Sequence, residues 1–144
     1  MEKKAKELAQ KCFGSKCDCL PQLQKATLVL AQSEKVKSGI IWTQQALLLA
    51  GQLPDAEKTG ALRIVRFYLS QIANEIQLAF HLTQEDYFKE AGKQIDSALV
   101  MFDSGVGADA SPRLVQALSM VTSAGQNAYS TLSNQVEEND RFSS

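Results

Sequence analysis

The chain has 144 residues, 44% of them hydrophobic and 22% charged, and its formal net charge at pH 7 is −1. This length and composition are typical of one folded domain and exclude a disordered or fibrous chain. A net charge so close to zero gives no overall field for nucleic acid or a membrane surface, so neither is an expected partner.

Residues 1–20 are predicted to form a short helix followed by a loop that contains cysteines. The helix, residues 2–12, is rich in lysine, places Leu8 and Ala9 on one side, and is too short to be stable without packing. No apolar core of a signal peptide follows the initial charges, and no apolar stretch reaches the roughly 18 residues that span a membrane. We therefore expect a cytoplasmic protein, although a chain whose leader had been removed would have the same sequence.

Residues 21–138 are predicted to form the main helical domain, which begins with a long helix from Pro21 to about Gly51. The apolar residues of this helix keep one phase across a polar stretch that ends at Gly39. A glycine inside a helix costs about 1 kcal/mol, so two helices that meet near this stretch are an open alternative. Gly51 and Pro54 then predict a turn before the next helix.

The next helix contains the longest apolar segment, residues 61–82. Its polar residues fall on one narrow stripe: Arg63, Arg66, Ser70, Asn74, Gln77 and His81. A helix that is apolar over more than half of its circumference must be covered by several other elements, so this segment is predicted to be the central helix of a bundle. Thr83 and Asp86 resemble a capping box, with Asp in place of the usual Glu or Gln, and predict a boundary at residues 82–84.

Two further helices complete the pattern. Residues 84–102 have one apolar face, and after a loop Ser111 and Pro112 predict the N-cap and first residue of a last helix that ends near Glu138. Residues 139–144 are expected to form a frayed tail. Because the connections are short, the predicted fold is an all-α, antiparallel up-down bundle of four long helices with a short N-terminal helix.

Three cysteines form the most distinctive local feature, with the spacing C-x4-C-x-C: Cys12, Cys17 and Cys19. Thiolates this close can bind Cu(I) or zinc, and the neighbouring lysines favour the thiolate form. However, structural zinc sites normally use two ligand pairs, and the single histidine, His81, belongs to a different helix. The favoured interpretation is therefore that the cysteines are reduced thiols in a loop. The alternatives are a metal site, a redox pair of Cys17 and Cys19, or acylation of the cysteines.

No catalytic template fits the sequence. Neither a G-x-S-x-G motif nor a Walker-type phosphate loop is present. No spacing in the sequence brings a Ser or Cys nucleophile close to His81. We expect His81, near the end of its helix, to complement the helix dipole instead. Glu75 falls within the apolar arc of its helix, where we expect its carboxylate to reach water, a lysine or the Tyr68 hydroxyl. Neither an enzyme nor a bound cofactor is expected.

The first long helix has a second apolar stripe that includes the only tryptophan of the chain: Trp42, Ala46, Leu49 and Leu53. This stripe lies well over 100° from the main apolar arc of the helix, so another element must cover it. One candidate cover for this stripe lies within the chain: the N-terminal helix, through Leu8 and Ala9, or the side chain of Phe13. The other is a second subunit or a partner helix.

The sequence therefore predicts a non-catalytic helical bundle that acts by protein–protein interaction, as an adaptor, scaffold or small chaperone, and that self-associates through the stripe at Trp42. The alternative function is a thiolate metal-binding or redox protein that uses Cys12, Cys17 and Cys19. Replacing the three cysteines by serine distinguishes the two functions, because only the second would be lost.

Overall fold

The computed structural model describes the backbone of residues 19–143 and the side chains of residues 21–143. This part of the chain is all-α and contains no β-strand. Its four helices are α1 (Cys19–Gly51), α2 (Asp55–Thr83), α3 (Asp86–Asp103) and α4 (Ser111–Phe142), with a 3₁₀ turn at Gly107–Asp109 between the last two. The predicted N-terminal helix, residues 2–12, lies outside the described residues.

α1 is one continuous helix of 33 residues, so the alternative of two helices is wrong. The helix passes through Gly39 because both flanking turns are held in the core by Val36 and Ile40, which are 2% and 0% exposed. Gly39 also lies over the Ile72 side chain of α2, where an added Cβ would be 3.4 Å from Ile72 Cγ1. The helix cost of this glycine is therefore offset by packing.

The boundary between α2 and α3 is where it was predicted, but the capping box is not formed. α2 ends at Thr83, and Gln84 follows in the left-handed conformation with φ 55°. The Thr83 hydroxyl donates to the Ala79 carbonyl at 2.7 Å and accepts the Glu85 N–H at 3.3 Å. The N-cap of α3 is Glu85, which makes no side-chain capping bond.

The ends of α4 also differ from the prediction. The N-cap is Ala110 rather than Ser111, whose hydroxyl instead accepts a hydrogen bond from Gln44 Nε2 of α1 at 3.1 Å. The helix continues to Phe142, four residues beyond the predicted end, so residues 139–142 of the expected tail are helical.

The core lies between all four helices. α1 packs against α2 and α4, and α3 packs against the same two helices. The bulkiest of its fully buried side chains are Ile40, Leu69, Ile76, Phe88, Ile95 and Leu114. Among residues 19–143, no helix is both long and apolar enough to cross a membrane.

α1 and α4 approach each other closely at Ser33 and Gly125. A Cβ added to Gly125 would be 3.1 Å from the Cβ of Ser33, so the hydrogen side chain of Gly125 sets this helix separation. Ser33 is 1% exposed, and its hydroxyl has no hydrogen-bond partner within the described chain.

α2 is not the covered central helix that its composition predicted. It buries one row of residues, Val65, Leu69, Ile72, Ile76, Ala79 and Thr83. Five large apolar side chains of the same helix are between 46% and 60% exposed: Ile64, Phe67, Tyr68, Leu78 and Leu82. α2 therefore has more apolar surface than its neighbours α1 and α3 cover.

Candidate interaction surface on α1 and α2

The predicted stripe on α1 is largely open to solvent. Trp42 is 71% exposed and Leu49 is 62% exposed, whereas Ala46 and Leu53 are partly buried. Leu8, Ala9 and Phe13, which the sequence suggested as an internal cover, lie outside the described residues. Within residues 21–143, the packing therefore leaves most of the Trp42 side chain uncovered.

A matching stripe runs along α2, and the sequence did not distinguish it from the core. Ile64 is 60% exposed and Tyr68 is 53% exposed, and Leu78 and Leu82 continue the line toward the end of the helix. The Tyr68 ring packs edge-on against Phe67, with 5.8 Å between ring centroids, an arrangement that restrains the tyrosine side chain.

A groove of about 530 Å³ separates these two stripes. Trp42 and Tyr68 line its two sides, and the buried residues Val36, Thr43 and Ile72 lie at its base. Gly39 contributes to the base as well, and the absence of a side chain there leaves space between the two helices. Gly39 therefore helps to shape the groove, and it is also the residue that made a single continuous α1 less certain from the sequence.

An ion pair lies at one end of the groove. Lys35 Nζ of α1 is 2.8 Å from Glu75 Oε2 of α2, and both residues line the groove. Of the partners expected for Glu75, the structure shows the lysine. Lys35 is more than half exposed and the Glu75 side chain about one third exposed, so the pair contributes little to stability in the isolated chain.

A bidentate ion pair links α2 to the end of α3. Arg66 Nε and Nη2 donate to the two carboxylate oxygens of Asp103 at 2.6 and 3.0 Å. These hydrogen bonds are the main reason that the pKa of Asp103 is lowered, with the attraction of the guanidinium charge as a second cause. The pKa of Arg66 is raised for the same two reasons.

Another groove of similar size lies between α2 and α3 but has a different lining. It is about 500 Å³ in volume, and its lining combines apolar side chains such as Ile76 and Leu99 with charged ones, Lys89, Lys93 and Asp96. Such a surface is ordinary for a solvated helix pair. The groove between α1 and α2 is therefore the one whose lining requires an explanation.

The predicted cysteine site cannot be placed. Cys12 and Cys17 lie outside the described residues, and Cys19 is described only as the first residue of α1. His81 occupies the last turn of α2 and is exposed. Among the side chains of residues 21–143, no three His, Cys, Asp or Glu groups are arranged to hold a metal ion.

Comparison of the chain with models of known protein families, with curated proteins and with solved structures finds no match.

Proposed function

We propose that this chain is a non-catalytic interaction protein that binds a protein partner, of its own kind or another, through α1 and α2. We also propose that its helices form an antiparallel up-down bundle, since only residues 52–54 connect α1 to α2 and only residues 84–85 connect α2 to α3.

The observation that carries this proposal is the pair of exposed apolar stripes beside one groove. We call this surface the α1–α2 face, and it comprises Leu28, Trp42 and Leu49 of α1 with Ile64, Tyr68, Leu78 and Leu82 of α2, all at least 43% exposed. An exposed, largely apolar surface that includes a tryptophan and a tyrosine is typical of protein interfaces. Its elongated shape along two helices fits an apolar helical surface as partner.

The chemistry of the groove supports binding rather than catalysis. Its ionisable lining residues are Lys35, Tyr68 and Glu75, and the lysine is already paired with the glutamate. The lining has no further cation with which to hold a phosphate backbone or an anionic lipid surface. We therefore propose neither nucleic acid nor a membrane as partner.

Site-specific photo-crosslinking tests the proposal. A benzophenone amino acid in place of Trp42, in cells that make the chain natively, is expected to give a discrete adduct whose cross-linked peptide belongs to an apolar helix. The matched control has the same group in place of Val115 of α4, which is 51% exposed and outside the α1–α2 face. Equal adduct patterns at both positions, or none at position 42, would contradict the proposal.

Replacing Cys12, Cys17 and Cys19 by serine in the same experiment separates the two predicted functions. Under the interaction proposal the adduct at position 42 persists, because the proposed contact uses the apolar side chains of the α1–α2 face rather than thiolates. Loss of the adduct together with loss of bound copper or zinc would favour the thiolate metal protein instead.

A further inference from the structure

The two stripes of the α1–α2 face have the same order of side-chain types. At the ion pair, Lys35 of α1 lies beside Glu75 of α2. Seven residues away on one side are Trp42 and Tyr68, which line the same groove. Seven residues away on the other side are Leu28 and Leu82, which are 43% and 49% exposed.

A spacing of seven residues returns a helix to nearly the same face, with a drift of about 20°. Each stripe therefore has an apolar end, a charged centre and a second apolar end. The charges at the two centres are opposite, since one is Lys35 and the other is Glu75. At each of the three levels, the side chain on α1 is therefore complementary to the side chain on α2: apolar opposite apolar at the two ends, and opposite charges at the centre.

We infer that the partner of the α1–α2 face is a second copy of this chain, related by a two-fold axis that runs along the helices. This inference rests on the proposed function and names its partner. The axis places α1 of one copy on α2 of the other, as an isologous contact requires. Trp42 then meets the second copy's Tyr68, and Lys35 meets the second copy's Glu75.

The size of the face is sufficient for a dimer. Leu28 and Leu49 are 21 residues apart along α1, and the helical rise converts this separation to about 32 Å. Two neighbouring helices present a width of about 20 Å. The contact would thus bury on the order of 600–700 Å² per copy, close to the roughly 800 Å² of a standard interface.

The central charges would fix the register rather than supply most of the affinity. A desolvated ion pair contributes little net free energy, but an unpaired or like-charged arrangement at the same place is costly. A shift of seven residues along the helices would move Lys35 away from the second copy's Glu75 and set it against an apolar or aromatic side chain, Leu82 or Tyr68. The aromatic and aliphatic ends would supply the affinity.

Sedimentation equilibrium of the full chain tests the dimer. We expect a dimer at about 100 μM, and Trp42→Glu should raise the dissociation constant by at least about 30-fold, which corresponds to a hot-spot residue. Val115→Glu is the matched control and should leave the constant unchanged. Circular dichroism verifies that each variant is folded, and Tyr68→Glu replaces Trp42→Glu if the first variant unfolds.

A charge exchange tests the register. The double variant Lys35→Glu with Glu75→Lys keeps an ion pair within each chain, so it should fold and form dimers with itself. Mixed with the unchanged protein, it would place lysine opposite lysine and glutamate opposite glutamate. Native mass spectrometry should then show heterodimers depleted at least about tenfold below the statistical level.

The outcomes separate the inference from the proposed function. A monomer at 100 μM would overturn the inference, and statistical mixing with the double variant would overturn the register. If the chain stays monomeric while the crosslinker at position 42 still gives an adduct with a different protein, the proposed function holds and only the second copy is wrong. A depleted heterodimer, together with loss of the dimer in Trp42→Glu, supports both.

Discussion

Gln84 ends α2 in a left-handed conformation that most side chains avoid. Its φ is 55°, and it is the only non-glycine residue of the described chain with a positive φ. Its N–H donates to the Phe80 carbonyl at 2.7 Å, and its side-chain Nε2 donates to the His81 carbonyl at 3.1 Å. The polar side chain thus satisfies a helix-terminal carbonyl, while the backbone conformation has a steric cost.

Replacing Gln84 by glycine should stabilise the protein by about 0.5–1 kcal/mol, because glycine adopts this conformation without a Cβ clash. Urea unfolding followed by circular dichroism measures the change. Gln126→Gly in the interior of α4 is the control and should cost about 1 kcal/mol. A similar loss of stability at both positions would contradict the expectation.

The Arg66–Asp103 pair should make the free energy of unfolding depend on pH in the acidic range. The pKa of Asp103 is below its ordinary value of 3.8, mainly because the ionised carboxylate accepts hydrogen bonds from Arg66. A carboxyl group whose pKa is lowered by folding stabilises the protein above its unfolded pKa, and this contribution disappears as the pH falls through the folded pKa.

We therefore expect Asp103→Asn to be less stable than the unchanged protein at neutral pH, with a difference that shrinks below about pH 3.8. Arg66→Met should show the same pH dependence. The double variant should cost no more than the larger single change, because both single variants remove the same interaction. Additive costs at neutral pH would show that the pair is not coupled.

At the scale of helices, the contact between α1 and α4 depends on a missing side chain. Gly125→Leu should destabilise the protein by about 1–3 kcal/mol, since the added atoms would meet Ser33 and separate the two helices. Gly60→Leu in α2 is the matched control, because a Cβ there meets nothing within 4 Å. The control should be stabilised by about 0.5–1 kcal/mol through helix propensity, and thermal unfolding compares the two.

Helix positions could be predicted from the sequence because apolar periodicity is a local property. The pattern placed α1 across Gly39 as one of two possibilities, and the turn at Pro54 and the boundary near Thr83 agree with the structure. Capping was less predictable, because a threonine hydroxyl can bond either to the next N–H groups or to the carbonyl four residues back. Thr83 donates to Ala79, so the capping box is lost.

The candidate surface was only half predictable. Trp42 and Leu49 stood out because they lie far from the main arc of their helix, and both are exposed. Tyr68 and Ile64 did not stand out, because α2 is apolar on most sides and periodicity does not say which neighbours exist. The groove depends on Gly39 lying beside Ile72, which is a contact between positions 33 residues apart.

For the whole molecule, the proposed dimer couples folding to protein concentration. If folded chains associate and unfolded chains do not, the melting temperature should rise by roughly 2 °C for each tenfold increase in concentration. Trp42→Glu should abolish this rise, and Val115→Glu should retain it. The dimer would be contradicted if the melting temperature of the unchanged protein stayed the same between about 1 and 100 μM, a range of about two decades in concentration.

The position of Trp42 has a further consequence for the intrinsic fluorescence of the protein. The chain has a single tryptophan, and 71% of that side chain is in water while the chain is folded. In the monomer its fluorescence emission should therefore change little when the core unfolds, so it is a poor probe of the monomer's stability. Occupation of the α1–α2 face would transfer the indole to an apolar environment and shift its emission to shorter wavelength. The protein thus contains an intrinsic optical sensor for whatever binds there.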